Sequence, residues 1–141
     1  MEPKLIVGNC HLDERGMLLY NNEFDVSSVK RIYVIENNDT KFVRGWQGHQ
    51  VEQRWFSVIK GTFKIQLIEI DNWENPSKKL QVHSFTIDAD KLNVLHAPKG
   101  YVSSIQSLQN GSKLLVMADH FLGEIKDEFR FDIDYFKNVD K

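Results

Sequence analysis

The chain has 141 residues, 18 Lys plus Arg against 20 Asp plus Glu and a formal charge of -2; it fits one domain with a single sizeable core, and no global positive field recruits nucleic acid or an anionic membrane surface. Its one cysteine, Cys10, excludes an intramolecular disulfide framework and a Cys-rich zinc site. With no basic-then-apolar signal pattern at the start and no apolar run near the roughly 18–20 residues of a membrane helix, the expected setting is a reducing cytoplasm.

Read in chain order, the pattern is that of strands separated by turns, with no long helical period. In "HLDERGMLLY" (11–20) Asp13 and Gly16 make a turn that aims Arg15 away from the strand that follows, with Asp13 able to orient its guanidinium; a plain solvated turn has the same composition. "SSVKRIYVIEN" (27–37) alternates Val29, Ile32 and Val34 with polar neighbours. "QRWFSVI" and "TFKIQLIEI" flank Lys60-Gly61 and read as a tight hairpin, Gly supplying the positive φ. "DNWENPSKK" (71–79) is a polar, exposed loop. Four further short strands are predicted at 80–88, 91–98, 101–108 and 112–119, with Asp88-Ala89-Asp90, Pro98-Lys99-Gly100 and Asn110-Gly111 between them. The tail from Gly123 is charged yet carries Phe129, Phe131, Tyr135 and Phe136, enough apolar surface to dock on the barrel or on a neighbouring subunit. Many short strands at this spacing predict an all-β sandwich or barrel in a single domain.

The segment "KFVRGWQGHQVEQRWFSVIKG" (41–61) is the most unusual. His49 titrates near neutrality. Arg44 and Arg54, five positions to either side, offer permanently charged donor forks suited to phosphate or carboxylate. If 41–46 and 53–59 are adjacent strands, side chains of like parity share a face, and a base flanked by anion-binding arginines inside a barrel makes a site for an anionic substrate. The alternative is that both arginines are exposed strand residues paired with Glu52 and Glu69. Among the nearby aromatics, Trp46, Trp55, Phe56 and Phe63, one or two could stack on a nucleobase and the rest are core.

Metal binding is not expected. Barrels of this kind hold a metal through His-x-His plus Glu and a later His, but here Gln47 takes the first position, and Val102, Ser103 and Ser104 bring no histidine in the later strand. His49 and Glu52 supply two ligands where catalytic zinc has three. His11, His83, His96 and His120 form no cluster by spacing. A phosphate-binding glycine loop and a dinucleotide fingerprint are missing too, so no cofactor is expected.

"DERG" at 13–16, "RGWQGH" at 44–49, "RWFSVIKGTFKI" at 54–65, "APKGYVSSI" at 97–105, "MADHF" at 117–121 and "RFD" at 130–132 follow one another as in the cupin-fold nucleotide-sugar isomerases and epimerases, which the chain resembles over roughly residues 11–135. The resemblance implies a single cupin (jelly-roll) β-barrel over 1–141. Two branches compete. The dTDP-4-oxo-6-deoxyglucose 3,4-ketoisomerases are similar in length and carry Arg-Gly-x-His-x-His, matched here by Arg44, Gly45 and His49, with Gln47 at the first histidine. The dTDP-4-dehydrorhamnose 3,5-epimerases share "DERG" but place their base where Gln47 stands, have a lysine at the position of Arg54 and a tyrosine where His120 and Phe121 stand, and are usually longer. Length and His49 favour the ketoisomerase branch.

By this resemblance the substrate is a dTDP-linked 4-keto sugar, and His49 is the general base for the proton beside the ketone. Arg54 and Gln47 donate to the developing oxyanion, and either His120 or Tyr33 supplies a second proton relay or the reaction is simpler. Arg15 and Arg44 hold the diphosphate or nucleotide, while Trp46, Tyr101 and Asp119 contact the substrate. Family members are homodimers in which strands cross between subunits, so some of these residues act on the partner's site. Gln47 in place of an imidazole also leaves open a non-catalytic sugar-nucleotide-binding cupin.

Overall fold

The computed structural model describes residues 1–139; Asp140 and Lys141, the end of the charged tail, lie outside the described residues. It contains twelve strands: β1 Lys4–Ile6, β2 Asn9–Asp13, β3 Gly16–Tyr20, β4 Arg31–Ile35, β5 Val43–His49, β6 Arg54–Lys60, β7 Thr62–Glu69, β8 His83–Asp88, β9 Val94–Ala97, β10 Tyr101–Ser107, β11 Lys113–Ala118 and β12 Phe129–Arg130. Ten of them form two five-stranded antiparallel sheets, ordered β1-β9-β6-β11-β4 and β12-β5-β10-β7-β8, and β2-β3 stand apart as a two-stranded hairpin. Among the described residues no helix is long and apolar enough to cross a membrane.

The sheets face each other across one core. Phe56, Val58, Leu95, Ala97, Leu114 and Val116 come from the first sheet, and Phe63, Ile65, Leu67, Ile87, Tyr101 and Ile105 from the second. Each fully buried large apolar side chain contributes roughly 1.5–3 kcal/mol relative to exposure, so the inward alternation on β6, β7 and β11 holds the sandwich closed. A second cluster lies on the outer face of the second sheet, where Trp46, Ile68, Ile70 and Val102 are covered by Phe136 of the tail, with Trp73 and Phe131 against them. The aromatic tail therefore docks on its own barrel. The chain is an all-β cupin jelly roll.

Two local expectations are corrected. The β6–β7 connection is no hairpin: β6 pairs with β9 and β11, whereas β7 pairs with β10 and β8. Gly61 (φ +75°) carries the chain from one sheet to the other, and a Cβ there would stand 2.0 Å from the Ser112 Oγ. A glycine turn signals a reversal but not which sheet receives the next strand. In β4 the apolar alternation is inverted as well, because Ile32 and Val34 are 64% and 51% exposed while Arg31, Tyr33 and Ile35 are half-buried. β4 is an edge strand, and its inner face holds the polar side chains that line the barrel interior.

Candidate active site

β5 and β6 lie in different sheets, so the proposed convergence of their side chains does not come from adjacency. It comes from the two sheets facing each other and from an irregular register on β5. Opposite β10, His49 pairs with Tyr101, Gln47 with Ser103 and Arg44 with Ile105, so β5 advances three residues where β10 advances two. Cross-strand partners share a face, and Tyr101 and Ile105 belong to the inner core. The extra residue on β5, a bulge, puts Arg44 on the same inner face as Gln47 and His49, although strict alternation would send Arg44 to the opposite side. Gly48 faces outward, where a Cβ would meet the Tyr101 carbonyl oxygen at 2.3 Å and the Val102 Cα at 2.6 Å; only glycine allows β5 this close to β10.

His49 is buried, with Nδ1 2.8 Å from the main-chain oxygen of Asp127. A carbonyl can only accept, so Nδ1 carries the hydrogen and Nε2 of the neutral ring keeps its lone pair. Burial, and next the charge of Arg54, hold the imidazole below its ordinary pKa, against the opposing pull of Glu52 and Asp127. The Asp127 carboxylate is itself tied to three successive backbone N–H groups, accepting from Gln50 and Val51 at 2.8 Å and from Glu52 at 2.7 Å. One residue thus orients the imidazole and pins the turn that follows it.

That turn carries Glu52, whose Oε1 accepts from Arg54 Nε at 2.9 Å and lies 2.8 Å from Nη2. The pair is nearly buried, with side-chain exposures of 13% for Arg54 and 8% for Glu52. Arg54 Nη1 donates to the Tyr33 hydroxyl. Gln47 Nε2 donates to Glu128 Oε1 at 2.5 Å; Glu128 is held below the usual carboxylate range first by the hydrogen bond from Arg130, with the charges of Arg130 and Arg54 adding to it. Arg44 donates from Nε to the buried Asn37 at 3.2 Å. The Tyr101 hydroxyl donates to the Met1 carbonyl at 2.9 Å, and burial raises its pKa.

These side chains border two adjoining cavities. One, of about 390 Å³, runs through the barrel interior past Arg44, Phe56, Tyr101, Ser103 and Ile105. The other, of about 550 Å³, lies under the 121–128 loop and is bounded by Arg31, Phe121, Leu122 and Lys126. Tyr33, Gln47, His49, Glu52 and Arg54 border both. The first volume suits a small organic ligand.

Of the residues singled out from sequence, the structure brings together His49, Gln47, Arg54, Tyr33, Arg44 and Tyr101. Four are elsewhere. Trp46, 1% exposed, faces the outer cluster, edge-on to Phe136, since its parity in β5 is opposite to that of Gln47 and His49. Asp119 accepts from the Gln53 N–H at 3.1 Å and pairs with His120 Nδ1 at 2.8 Å, and neither borders the cavities. Arg15 stands at the tip of the β2–β3 hairpin, 81% exposed and paired with Asp13 at 2.6 Å, outside both cavities of its own chain. Sequence reading missed Asp127, Glu128 and Arg31, and weighed Glu52 only as a metal ligand beside His49 or as an exposed partner of the arginines. Asp127 lies 78 positions from His49, beyond the reach of any local pattern. Among the described residues no three His, Cys, Asp or Glu side chains gather as metal ligands.

Comparison with known proteins agrees with this architecture. A 3,4-ketoisomerase from Helicobacter canadensis is 23% identical over 88% of this chain and 87% of that one, with a TM-score of 0.67. A mutant 3,4-ketoisomerase from Thermoanaerobacterium thermosaccharolyticum, in complex with TDP-4-keto-6-deoxyglucose, is 21% identical over 92% of this chain and 87% of that one, TM-score 0.71. The dTDP-4-dehydrorhamnose 3,5-epimerase of Bacillus anthracis is 15% identical over 89% of this chain and 77% of that one, TM-score 0.72. At these identities the likeness is one of fold. No curated protein matches the chain. The family described as "FdtA: WxcM-like, C-terminal" matches residues 1–141, and the chain belongs to that family.

Proposed function

We propose that the chain is a nucleotide-sugar isomerase of the 3,4-ketoisomerase type, acting on a dTDP-4-keto-6-deoxyhexose by proton abstraction next to the ketone. The observation that carries this reading is His49: a neutral imidazole, its Nδ1–H committed to the Asp127 carbonyl, bordering both cavities beside a paired arginine. Family membership and the TDP-keto-sugar bound to a structural relative support the substrate class.

The chemistry follows from the ketone. A C4 carbonyl acidifies the C3–H; His49 Nε2 takes that proton, and the electron pair left on C3 forms the enediolate. A proton delivered to C4 and another to O4, with loss of the O3 hydrogen, moves the carbonyl to C3 and leaves a hydroxyl on C4. Arg54 donates to the enediolate oxygen, an interaction worth roughly 2.7–4 kcal/mol per donor in other enzymes. Tyr33, hydrogen-bonded to Arg54, takes the relay role for which His120 was the alternative, since His120 does not border the cavities. Gln47 donates but exchanges no proton; in this reading Glu128 holds its amide in place. Arg44 contacts the diphosphate.

The protein acts as a homodimer in this reading. Leu12, Met17 and Leu18 of the hairpin and Ile32 and Val34 of β4 are all more than half exposed, and Arg15 can reach a cavity only in a second subunit.

The test is incubation with dTDP-4-keto-6-deoxyglucose in heavy water, followed by NMR. Deuterium entering the sugar with formation of a 3-keto product supports the isomerase. Exchange at C3 and C5 with inversion supports the 3,5-epimerase instead. Binding without exchange supports a sugar-nucleotide-binding cupin, the reading favoured by Gln47 in place of an imidazole.

A further inference from the structure

We propose that Arg31 and Lys126 form an oxyanion subsite on the loop side of His49, separate from Arg44, that receives a phosphoryl or carboxylate group of the ligand. The pairing of the charged groups around the larger cavity motivates it. Each acid there is already satisfied: Glu52 by Arg54, Asp127 by three backbone N–H groups, and Glu128 by Arg130 at 2.7 Å and by Gln47. Among the described residues Arg31 and Lys126 make no ion pair. The Arg31 Nε is buried with no hydrogen-bond partner, and Arg31 borders the larger cavity.

The sheet supplies the geometry. Arg31 and Arg54 both pair with Ala118, one from each side, so the three side chains share the inner face of one cross-strand row. Two strand spacings put the arginine backbones roughly 10 Å apart, and Ala118 between them is too small to fill the gap. Both guanidinium groups approach the Tyr33 ring, at 4.8 Å for Arg31 and 5.7 Å for Arg54. Glu52 pairs with Arg54, so the guanidinium left without an ion pair is that of Arg31, with Lys126 bordering the same cavity. A phosphoryl or carboxylate group fits such a gap, and guanidinium matches its planar or trigonal oxygens. Arg44 borders only the other cavity and pairs with Asn37, beyond the far end of β4; the strand between is roughly 13 Å long. One oxyanion cannot bridge both poles.

The identity of the occupant, though not the anion chemistry, rests on the nucleotide-sugar reading. The test measures binding of inorganic pyrophosphate, malonate and thymidine diphosphate by calorimetry to the wild-type chain and to Arg31→Met, Lys126→Met and Arg44→Met. Lys126 is exposed in a loop, so its variant keeps the test valid if Arg31→Met fails to fold. Loss of about tenfold in pyrophosphate or malonate affinity, the scale of one charge-assisted hydrogen bond, in the Arg31 or Lys126 variant supports the subsite, and any loss in Arg44→Met reads the separate diphosphate contact assigned to Arg44. If thymidine diphosphate weakens in parallel, the occupant is the substrate's phosphoryl group; if it is unaffected and malonate binds alongside it, the occupant is a carboxylate borne by the sugar. Arg31-dependent pyrophosphate binding with no thymidine diphosphate binding upholds the subsite and removes the nucleotide reading. Equal affinities in the wild type and the Arg31 and Lys126 variants, or no anion binding by the wild type, overturn it.

Discussion

The main-chain oxygen of Asp127 takes the Nδ1 hydrogen of His49 at 2.8 Å, while the carboxylate of the same residue holds the backbone of Gln50, Val51 and Glu52. Ring orientation, tautomer and the position of the Glu52–Arg54 pair thus depend on a single distant aspartate.

His49→Asn should lower solvent deuterium incorporation into the keto sugar by about 10²–10⁴-fold, the usual scale for general base catalysis, with thymidine diphosphate affinity little changed. In the wild type kcat/KM should rise with pH and level off, with a midpoint below the ordinary histidine value of about 6.5, because burial and Arg54 disfavour the imidazolium. A midpoint well above 7, or full exchange in the variant, would remove His49 from the reaction.

Asp127→Ala leaves three backbone donors without their acceptor. At about 1–3 kcal/mol for each unsatisfied group, less what water restores to the turn, urea unfolding should show a loss of roughly 3 kcal/mol. Asp127→Asn keeps one side-chain oxygen and should fall between. An unaltered unfolding midpoint in the alanine variant would mean the turn holds without its anchor.

Arg54→Met strands a buried carboxylate and should cost about 3–5 kcal/mol. Adding Glu52→Gln should recover part of that loss, a coupling that a double-mutant cycle reads directly. Strict additivity of the two changes would show that the pair is not coupled in solution.

Gly48→Ala should lower the melting temperature, because its methyl would stand 2.3 Å from a carbonyl of β10 and the strands must part to admit it, at about 1–3 kcal/mol. Gly100→Ala tests a different cause: its Cβ meets open space, but its φ is +90°, so any loss there is backbone strain alone.

Stability should also decline on acidification through the histidine range. His49 and His96 both have pKa values lowered first by burial, so the unfolded chain binds protons that the folded chain refuses. The resulting stability is fully present above about pH 6.5 and is lost as pH falls toward the folded values. Denaturant midpoints at pH 7.5 and 5.5 check the sign, and replacing His96 by Gln should flatten the difference in part.

Much of the fold was legible because the short strand-forming runs of β7, β10 and β11 are punctuated by Gly61, Gly100 and Gly111, each with positive φ. What could not be read was which sheet each strand joins: Gly61 reverses the chain whether the next strand pairs locally or crosses the sandwich. Within the site, His49 and Gln47 share parity and lie on one face, and the same parity rule turns Trp46, whose aromatic character suggested stacking, to the other. Arg44 reached the right face only through a bulge that no residue type announces. Asp127, Glu128 and Arg31 were missed because their significance depends on tertiary partners: an aspartate in a charged tail and an arginine in a strand look like solvated surface until the opposite wall is in view.

The anchoring of His49 by Asp127 also bears on how the molecule comes into being. During synthesis the barrel strands through β10 leave the ribosome before residue 127 does, so a nascent chain can pair most of its sheets while the imidazole still lacks its acceptor and the turn after it is loose. Competence for proton transfer would then be among the last properties acquired, and a chain stopped short of the tail would be a partly folded shell without a seated base.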